Sequence, residues 1–492
     1  MCFKVLIKFI NLLIKSVIIS SALLIAACGG GGGGGESDGG SGEITYESIG
    51  VSFSYSGPME RVYKIQSSGN VELTLNLDLG SNTRTVYYIF TNTNFSAETD
   101  SPKCLTNLID PNNEQSNAES SIIKPLFSES AFLKNYSKSP ARGKPEISEF
   151  NSNPWKHIGK EKIAGKKLNY PIENGAKGPL KSTVGETNDF MNESTTDTIA
   201  ATCRKVVTDG TKTLNIWVAN NCWSVGGSGK SYYVTQAMVD AMADKFLKSG
   251  TANDIYDWVT NIYGSEWGTH SYSDLITADN NIHILLYDID NDNSTTGGTL
   301  GFFWAKDNFQ TTYIDYSNQK IMFYIDAVMY ATPAGTWEIS DPMPAEIIST
   351  LAHEFQHMIH FYQKNVVKAV AESDTWINEM CSLVTEDLLA DKILVDGPRG
   401  VTYDVYDAGS ANNIYGRLPL FNYWNDAPLT TWLSGSDAII SYSVSYAFGA
   451  FLARNYEGAE LFKDIVQGVT GKSLYGDYRD VVEAVKAHGG AS

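Results

Sequence analysis

The stretch Leu351-Ala-His-Glu-Phe-Gln-His-Met-Ile-His-Phe361 constrains this chain more than any other. It places His353 and His357 four residues apart, with Glu354 beside the first. On a helix, positions i and i+4 share a face, so both imidazoles reach one point in space. Two imidazoles so placed are half of a tetrahedral zinc site, and the adjacent carboxylate stands where a general base would act on a water. The competing reading is a helix with two structural histidines. Asp341-Pro-Met-Pro opens the helix, with Asp341 as cap and proline at early helical positions. Ile348, Leu351, Ala352, Phe355, Met358, Ile359 and Tyr362 fall on one side, and Glu346, Thr350, His353, His357 and His360 on another. The expectation is a helix that packs into a core on its apolar side and floors a metal cleft with the other.

A catalytic zinc takes three protein ligands and keeps its fourth position for water. A third histidine ten residues after the first is missing, because Gln363 stands there. His360 lies on the polar stripe, but three ligands from one straight helix seldom converge on a tetrahedral ion. The remaining candidates are carboxylates near a second helix, Ser373 to Glu386, apolar at Ile377, Met380 and Val384. Glu379, 22 residues after His357, leaves room for a turn and an antiparallel return. Glu372, at the helix entry, competes with it.

The N-terminus reads as an address. Lys4, Lys8 and Lys15 precede the apolar run Val17 to Ala27, which ends Ile25-Ala-Ala-Cys28. A basic region, a short apolar run and small residues describe a secretory signal, and the Cys after them resembles the bacterial lipobox. Residues 1–27 are therefore expected to be a signal peptide, with Cys28 lipidated and residues 28–43 a Gly-rich tether. That places the protein in the bacterial cell envelope, touching the membrane through its lipid, at the outer membrane or cell surface. A formal charge of -19 and a pI near 4.8 argue against nucleic acid as a partner. An oxidising compartment permits disulfides; among Cys104, Cys203 and Cys222 a Cys104–Cys203 bridge is preferred, with Cys381 a free core thiol.

Four alternating runs between residues 44 and 97, Val51–Tyr55, Val62–Ile65, Val71–Leu77 and Thr85–Phe90, predict an antiparallel, β-sandwich-like domain. Residues 98–183 are polar and weakly periodic, an irregular linker or excursion. Residues 184–364 read as a mixed α/β lobe, with a hairpin at Asp209-Gly210, a helix over Val234–Ser249, and strands at Asn281–Tyr287, Gly298–Ala305 and Ile321–Asp326. Asp288, Asp290 and Asp292 alternate as in a Ca2+ loop, but the sixth-position Gly and twelfth-position Glu are missing, so a solvated acidic turn competes. Residues 365–492 read as a mainly helical lobe. The fold class is α+β.

His353-Glu-Phe-Gln-His357 followed by Trp376-Ile-Asn-Glu379 resembles the gluzincins, the zinc peptidases that include thermolysin. Leu285-Leu-Tyr-Asp-Ile, Gly301-Phe-Phe-Trp, Met322-Phe-Tyr-Ile-Asp326 and Thr350 to Phe361 resemble the hyicolysin family of secreted bacterial metallopeptidases. The resemblance covers residues 184–468 and implies a thermolysin-like, two-lobed catalytic domain with one Zn2+ between the lobes. It implies His353, His357 and Glu379 as zinc ligands, Glu354 as general base, and Asn378 and Glu386 as partners of the ligating imidazoles. It further implies a later side chain that stabilises the oxyanion, Tyr442 or Tyr446, and an edge strand, Gly298–Ala305, that pairs with substrate backbone. Met380 departs from the pattern, since many relatives have Gly after the third ligand. Gly335-Thr-Trp-Glu338 matches the aminopeptidase pattern Gly-x-Met-Glu-Asn poorly. The function expected is thus a surface-anchored zinc endopeptidase acting on proteins or peptides. The alternative is a non-catalytic adhesin or binding lipoprotein on a peptidase scaffold.

Overall fold

The computed structural model describes the backbone of residues 2–11, 19–26, 47–54, 60–66, 71–78, 84–92 and 103–109, and residues 144–158, 182–193, 196–225, 227–250, 253–371, 373–399, 416–425 and 427–489. Cys28, the tether and Glu372 lie outside the described residues. The chain divides into two compact units, Met1–Ser128 with Asp426–Pro428, and Glu129–Asn425 with Leu429–Ser492.

The first unit contains β1 (Cys2–Asn11), β2 (Ile19–Ala26), β3 (Glu47–Ser54), β4 (Glu60–Gln66), β5 (Val71–Asp78), β6 (Arg84–Asn92) and β7 (Lys103–Ile109). They form two sheets, ordered β4-β1-β6 and β3-β5-β2-β7. The four expected runs are all strands, but β3 and β5 pair in parallel. The chain passes through β4 in the other sheet between them, so they are not joined by a hairpin and need not reverse. The residues read as a signal supply β1 and β2, which pair on both sides.

The second unit is built on a six-stranded mixed sheet, β12-β13-β11-β10-β9-β8. Its strands are β8 (Thr187–Met191), β9 (Thr198–Asp209), β10 (Lys212–Ala219), β11 (Asn281–Tyr287), β12 (Gly301–Phe303) and β13 (Ile321–Asp326). The Asp-Gly signal makes the β9–β10 hairpin, pairing Asp209 with Lys212, and Gly210 takes the left-handed φ of +54° that the turn requires. β10, β11 and β13 run parallel, and β11 and β13 are buried at every residue, as their unbroken apolar runs demand. β12 is antiparallel at the edge and shorter than expected.

The helices of this unit are α1 (Pro145–Ser152), α2 (Gln236–Phe246), α3 (Ile255–Tyr263), α4 (Ala327–Tyr330), α5 (Pro342–Phe361), α6 (Thr375–Ile393), α7 (Arg417–Tyr423), α8 (Ala438–Asn455), α9 (Ala459–Gln467) and α10 (Tyr478–His488). Thr235 caps α2 by accepting from the Met238 amide, and Asp254 caps α3 through the Asp257 amide. α5 differs from expectation in one respect. Every residue from Met343 to Phe361 is buried, so its polar side is not an open floor. Phe355 packs on Phe246 and Tyr256, while α6 covers the histidine side through polar partners.

Part of the polar stretch 98–183, residues 144–158, is ordered within the second unit, with Ile147 and Phe150 buried in its core. One further expectation is corrected. The Cys104–Cys203 bridge is absent. Cys203, Cys222 and Cys381 are free and buried, and Cys203 lies in the buried middle of β9. Burial pushes the Cys203 thiol up to about 11 and those of Cys222 and Cys381 up to about 12, so none is a thiolate at neutral pH.

Candidate metal centre

α5 and α6 bring three side chains to one point. His353 Nε2 and His357 Nε2 lie 3.1 Å apart, and Glu379 Oε2 lies 3.1 Å from the first and 3.5 Å from the second. Donors at zinc bond lengths of about 2.0–2.1 Å and tetrahedral angles are separated by roughly 3.3 Å. The trio therefore fits Zn2+ in both donor type and spacing. Among the described residues this is where three-ligand metal spacing is met.

The ring nitrogens facing away from that point are tied down. His353 Nδ1–H donates to Glu386 Oε1 at 2.8 Å, and Ser349 Oγ–H donates to Glu386 Oε2 at 2.6 Å. His357 Nδ1–H donates to Asn378 Oδ1 at 3.0 Å, with Ser382 Oγ at 3.1 Å. Such bonds fix each ring's orientation and leave its Nε2 facing the centre, where a neutral ring would present its lone pair to an ion. Asn378, Ser382 and Glu386 recur at helical spacing on α6, which makes one face serve both rings. Ser382 escaped the sequence reading, although its position midway between Asn378 and Glu386 is the signal that finds it.

The electrostatics follow from burial. Burial opposes a charge on His357, but the Glu379 carboxylate outweighs it and raises the imidazole to about 9. Burial alone would raise Glu379; His357 and His353 instead hold it at about 2. The carboxylate is thus ionised at any working pH, the form a ligand needs. His360 is turned away, bonded to Gln356 Nε2 at 3.2 Å and Ser373 Oγ at 3.0 Å, and is no part of the trio. Gln356 in turn accepts from Ser382, so the α5 polar stripe is held by α6 along its length.

Glu354, 1% exposed, lines a small cavity with His357, Asn378 and Glu379. Tyr442 and Tyr446 lie on α8, against α6 and outside that cavity lining. Tyr442 packs edge-on against Trp432 at 4.9 Å, and Tyr446 is buried near Asp387. The acidic loop is engaged internally rather than as a Ca2+ cage. Asp288 accepts from Lys230 and the Asn293 amide, Asp290 from Lys144, and Asp292 from the Ser294 amide.

Two imidazoles from one helix and a glutamate from the next, with a second carboxylate beside them, define the class of helix-borne His/His/Glu metallopeptidase sites. The chain belongs to the peptidase M30 family, whose profile matches residues 194–489. It is 26% identical over 259 residues to the neutral metalloprotease ShpI of Staphylococcus hyicus, a match covering 52% of this chain and 49% of that protein. The chain thus aligns with about half the length of this relative. Among solved structures, an M1 zinc metallopeptidase from Deinococcus radiodurans is similar at a TM-score of 0.29 and 13% identity, covering 59% of this chain and 48% of that one. A mutant form of that enzyme gives a TM-score of 0.30 over the same shares. No argument rests on likeness at that level.

Proposed function

We propose that this chain is a zinc-dependent endopeptidase held at the cell surface. The observation that supports this most is the convergence of His353 Nε2, His357 Nε2 and Glu379 Oε2 beside the Glu354 carboxylate. A structural histidine pair has no need of a third donor and a second acid.

His353, His357 and Glu379 would hold the ion. Zinc, when bound, supplies Lewis acidity that makes a water acidic and polarises a scissile carbonyl. Glu354 is the base: its carboxylate takes a proton from the attacking water and then delivers it to the departing amine nitrogen. The Glu386 and Asn378 bonds keep the two rings aimed while charge moves. Tyr446 or Tyr442 is the candidate for steadying the oxyanion; a kcat unchanged in Tyr446→Phe and Tyr442→Phe would assign both to packing. Endopeptidase is preferred because Gly335 to Glu338 supplies a poor match to an amine-binding motif.

Anchoring is proposed through lipid on Cys28, with residues 28–43 as tether; the mass of the mature protein reads both the cut and the lipid. No helix among the described residues is long and apolar enough to cross a membrane. The activity itself is tested by zinc content and casein cleavage in wild type and Glu354→Gln. Zinc in both, with cleavage at least about a hundredfold lower in the variant, is expected. Zinc bound without cleavage by wild type would instead favour the binding-lipoprotein alternative.

A further inference from the structure

Helix α1 precedes the stretch 194–489 that carries the family match, yet it lines the cavity at the metal centre. We propose that residues 144–158 occupy the edge of β12 where an extended peptide would dock, so that substrate must displace them. The proposal rests on the peptidase reading above and deepens it.

The edge is defined by its hydrogen bonds. Among the described residues β12 pairs with β13 on one side, and the Leu300 carbonyl points that way, accepting from the Asp326 amide at 2.8 Å. Strand alternation then turns the Phe303 carbonyl to the open side. Asn151 meets it there: its Nδ2–H donates to the Phe303 carbonyl at 2.8 Å, and its Oδ1 accepts from the Ala305 amide at 2.7 Å. A carboxamide offers one donor and one acceptor, as a peptide group does. Bonded to the last residue of β12 and to Ala305, which opens the 3-10 helix just beyond it, Asn151 flanks the extended Trp304 as one residue of an added parallel strand would.

The same segment closes the space in front of the acid and the ligands. Lys144, Ile147, Ser148 and Asn151 line the cavity opposite Glu354, His357 and Glu379, and about 20 Å³ remains between them. That is room for a water or an ion, not a peptide. The segment is held by burial of Ile147 and Phe150 in the core and by contacts along its length. Lys144 pairs with Asp290, Phe150 lies edge-on to Trp304 at 6.0 Å, and Trp155 Nε1–H donates to Asp274 at 2.7 Å. A helix of eight residues has little stability away from such contacts.

The test uses the full zinc-loaded chain carrying Glu354→Gln, and a fluorescein-labelled casein peptide read by anisotropy, with amide exchange followed in parallel. Peptide binding is expected to raise exchange across 145–152, because the edge must be vacated. Adding Asn151→Ala or Asn151→Asp is expected to tighten peptide binding about tenfold, as the occupant loses one or both edge bonds. Peptide that binds without raising exchange in α1, equal or weaker binding by the variants, or no binding by any of them would overturn the inference and make α1 a fixed wall. The exchange experiment is done with Asn151 in place, so it needs no folding-sensitive substitution in the segment. Absence of hydrolysis by wild type, with the exchange response intact, would sink the peptidase reading and leave the occupancy of the edge standing.

Discussion

Glu386 shows how far a residue can act through another. It is not one of the three converging donors, yet it accepts from His353 and from Ser349, so its carboxylate sets both the tautomer and the tilt of that imidazole. Glu386→Gln keeps the shape but weakens the acceptor, and zinc affinity is expected to fall about 10–100-fold in a chelator competition; unchanged affinity would reduce Glu386 to packing. Asp326 makes a different prediction. Burial pushes its carboxyl up from 3.8 to about 8, with Asp288 and Asp292 adding to the push. The unfolded chain ionises near the lower value and the folded chain resists ionisation up to the higher one, so this group erodes stability as pH rises between them. Asp326→Asn has no proton to lose, although its single carboxamide oxygen keeps only one of the two bonds that Oδ2 and Oδ1 accept from the Ile289 and Met329 amides. Its urea midpoint relative to wild type is expected to improve as pH is raised through that window, and a pH-independent difference would refute the shift.

Between elements, the contact of α6 with α8 depends on a missing side chain. A Cβ at Gly449 would stand 2.6 Å from Met380 Cγ and 2.6 Å from Val384 Cγ2. Met380, the residue that departs from the expected Gly after the third ligand, is therefore accommodated by a Gly on the facing helix. Gly449→Val is expected to destabilise by about 1–3 kcal/mol, read from the denaturant midpoint. Recovery in the double variant with Met380→Gly would tie the effect to this contact. Gly301 does the same where β12 meets α5: its Cβ would lie 2.7 Å from the Tyr324 carbonyl and 3.1 Å from Thr350 Cγ2. Close approach there keeps the edge strand near the acid Glu354, one turn along α5 from Thr350.

At the scale of the molecule, the centre joins α5 to α6 and so links the sheet side of the second unit to its helical side. Zinc that binds only the folded chain adds stability by mass action, about 2.7 kcal/mol when free zinc is a hundred times its Kd. Removing it with a chelator is expected to lower the melting temperature, and restoring zinc to recover it. A chain whose melting temperature ignores both treatments would not use this trio as a metal site. The two expected catalytic lobes are one compact unit, into which the helix α1 is also packed.

The amino-acid sequence determined the candidate centre because the spacing of its donors is local. His353, Glu354 and His357 share one turn-and-a-bit of helix, and Asn378, Glu379 and Glu386 recur at helical intervals on the next, so two short patterns specify most of the centre. The strands β11 and β13 were legible for the same reason, their apolar runs being complete within themselves. Tertiary structure alone decided what covers these elements. Nothing in the spacing of α5 says that its polar side is buried under α6, that Cys203 forms no disulfide, or that Asn151, from a polar stretch with no periodicity, bonds to the end of β12. Those outcomes depend on which distant segment competes best for a given surface and its hydrogen bonds, and no local pattern records that competition.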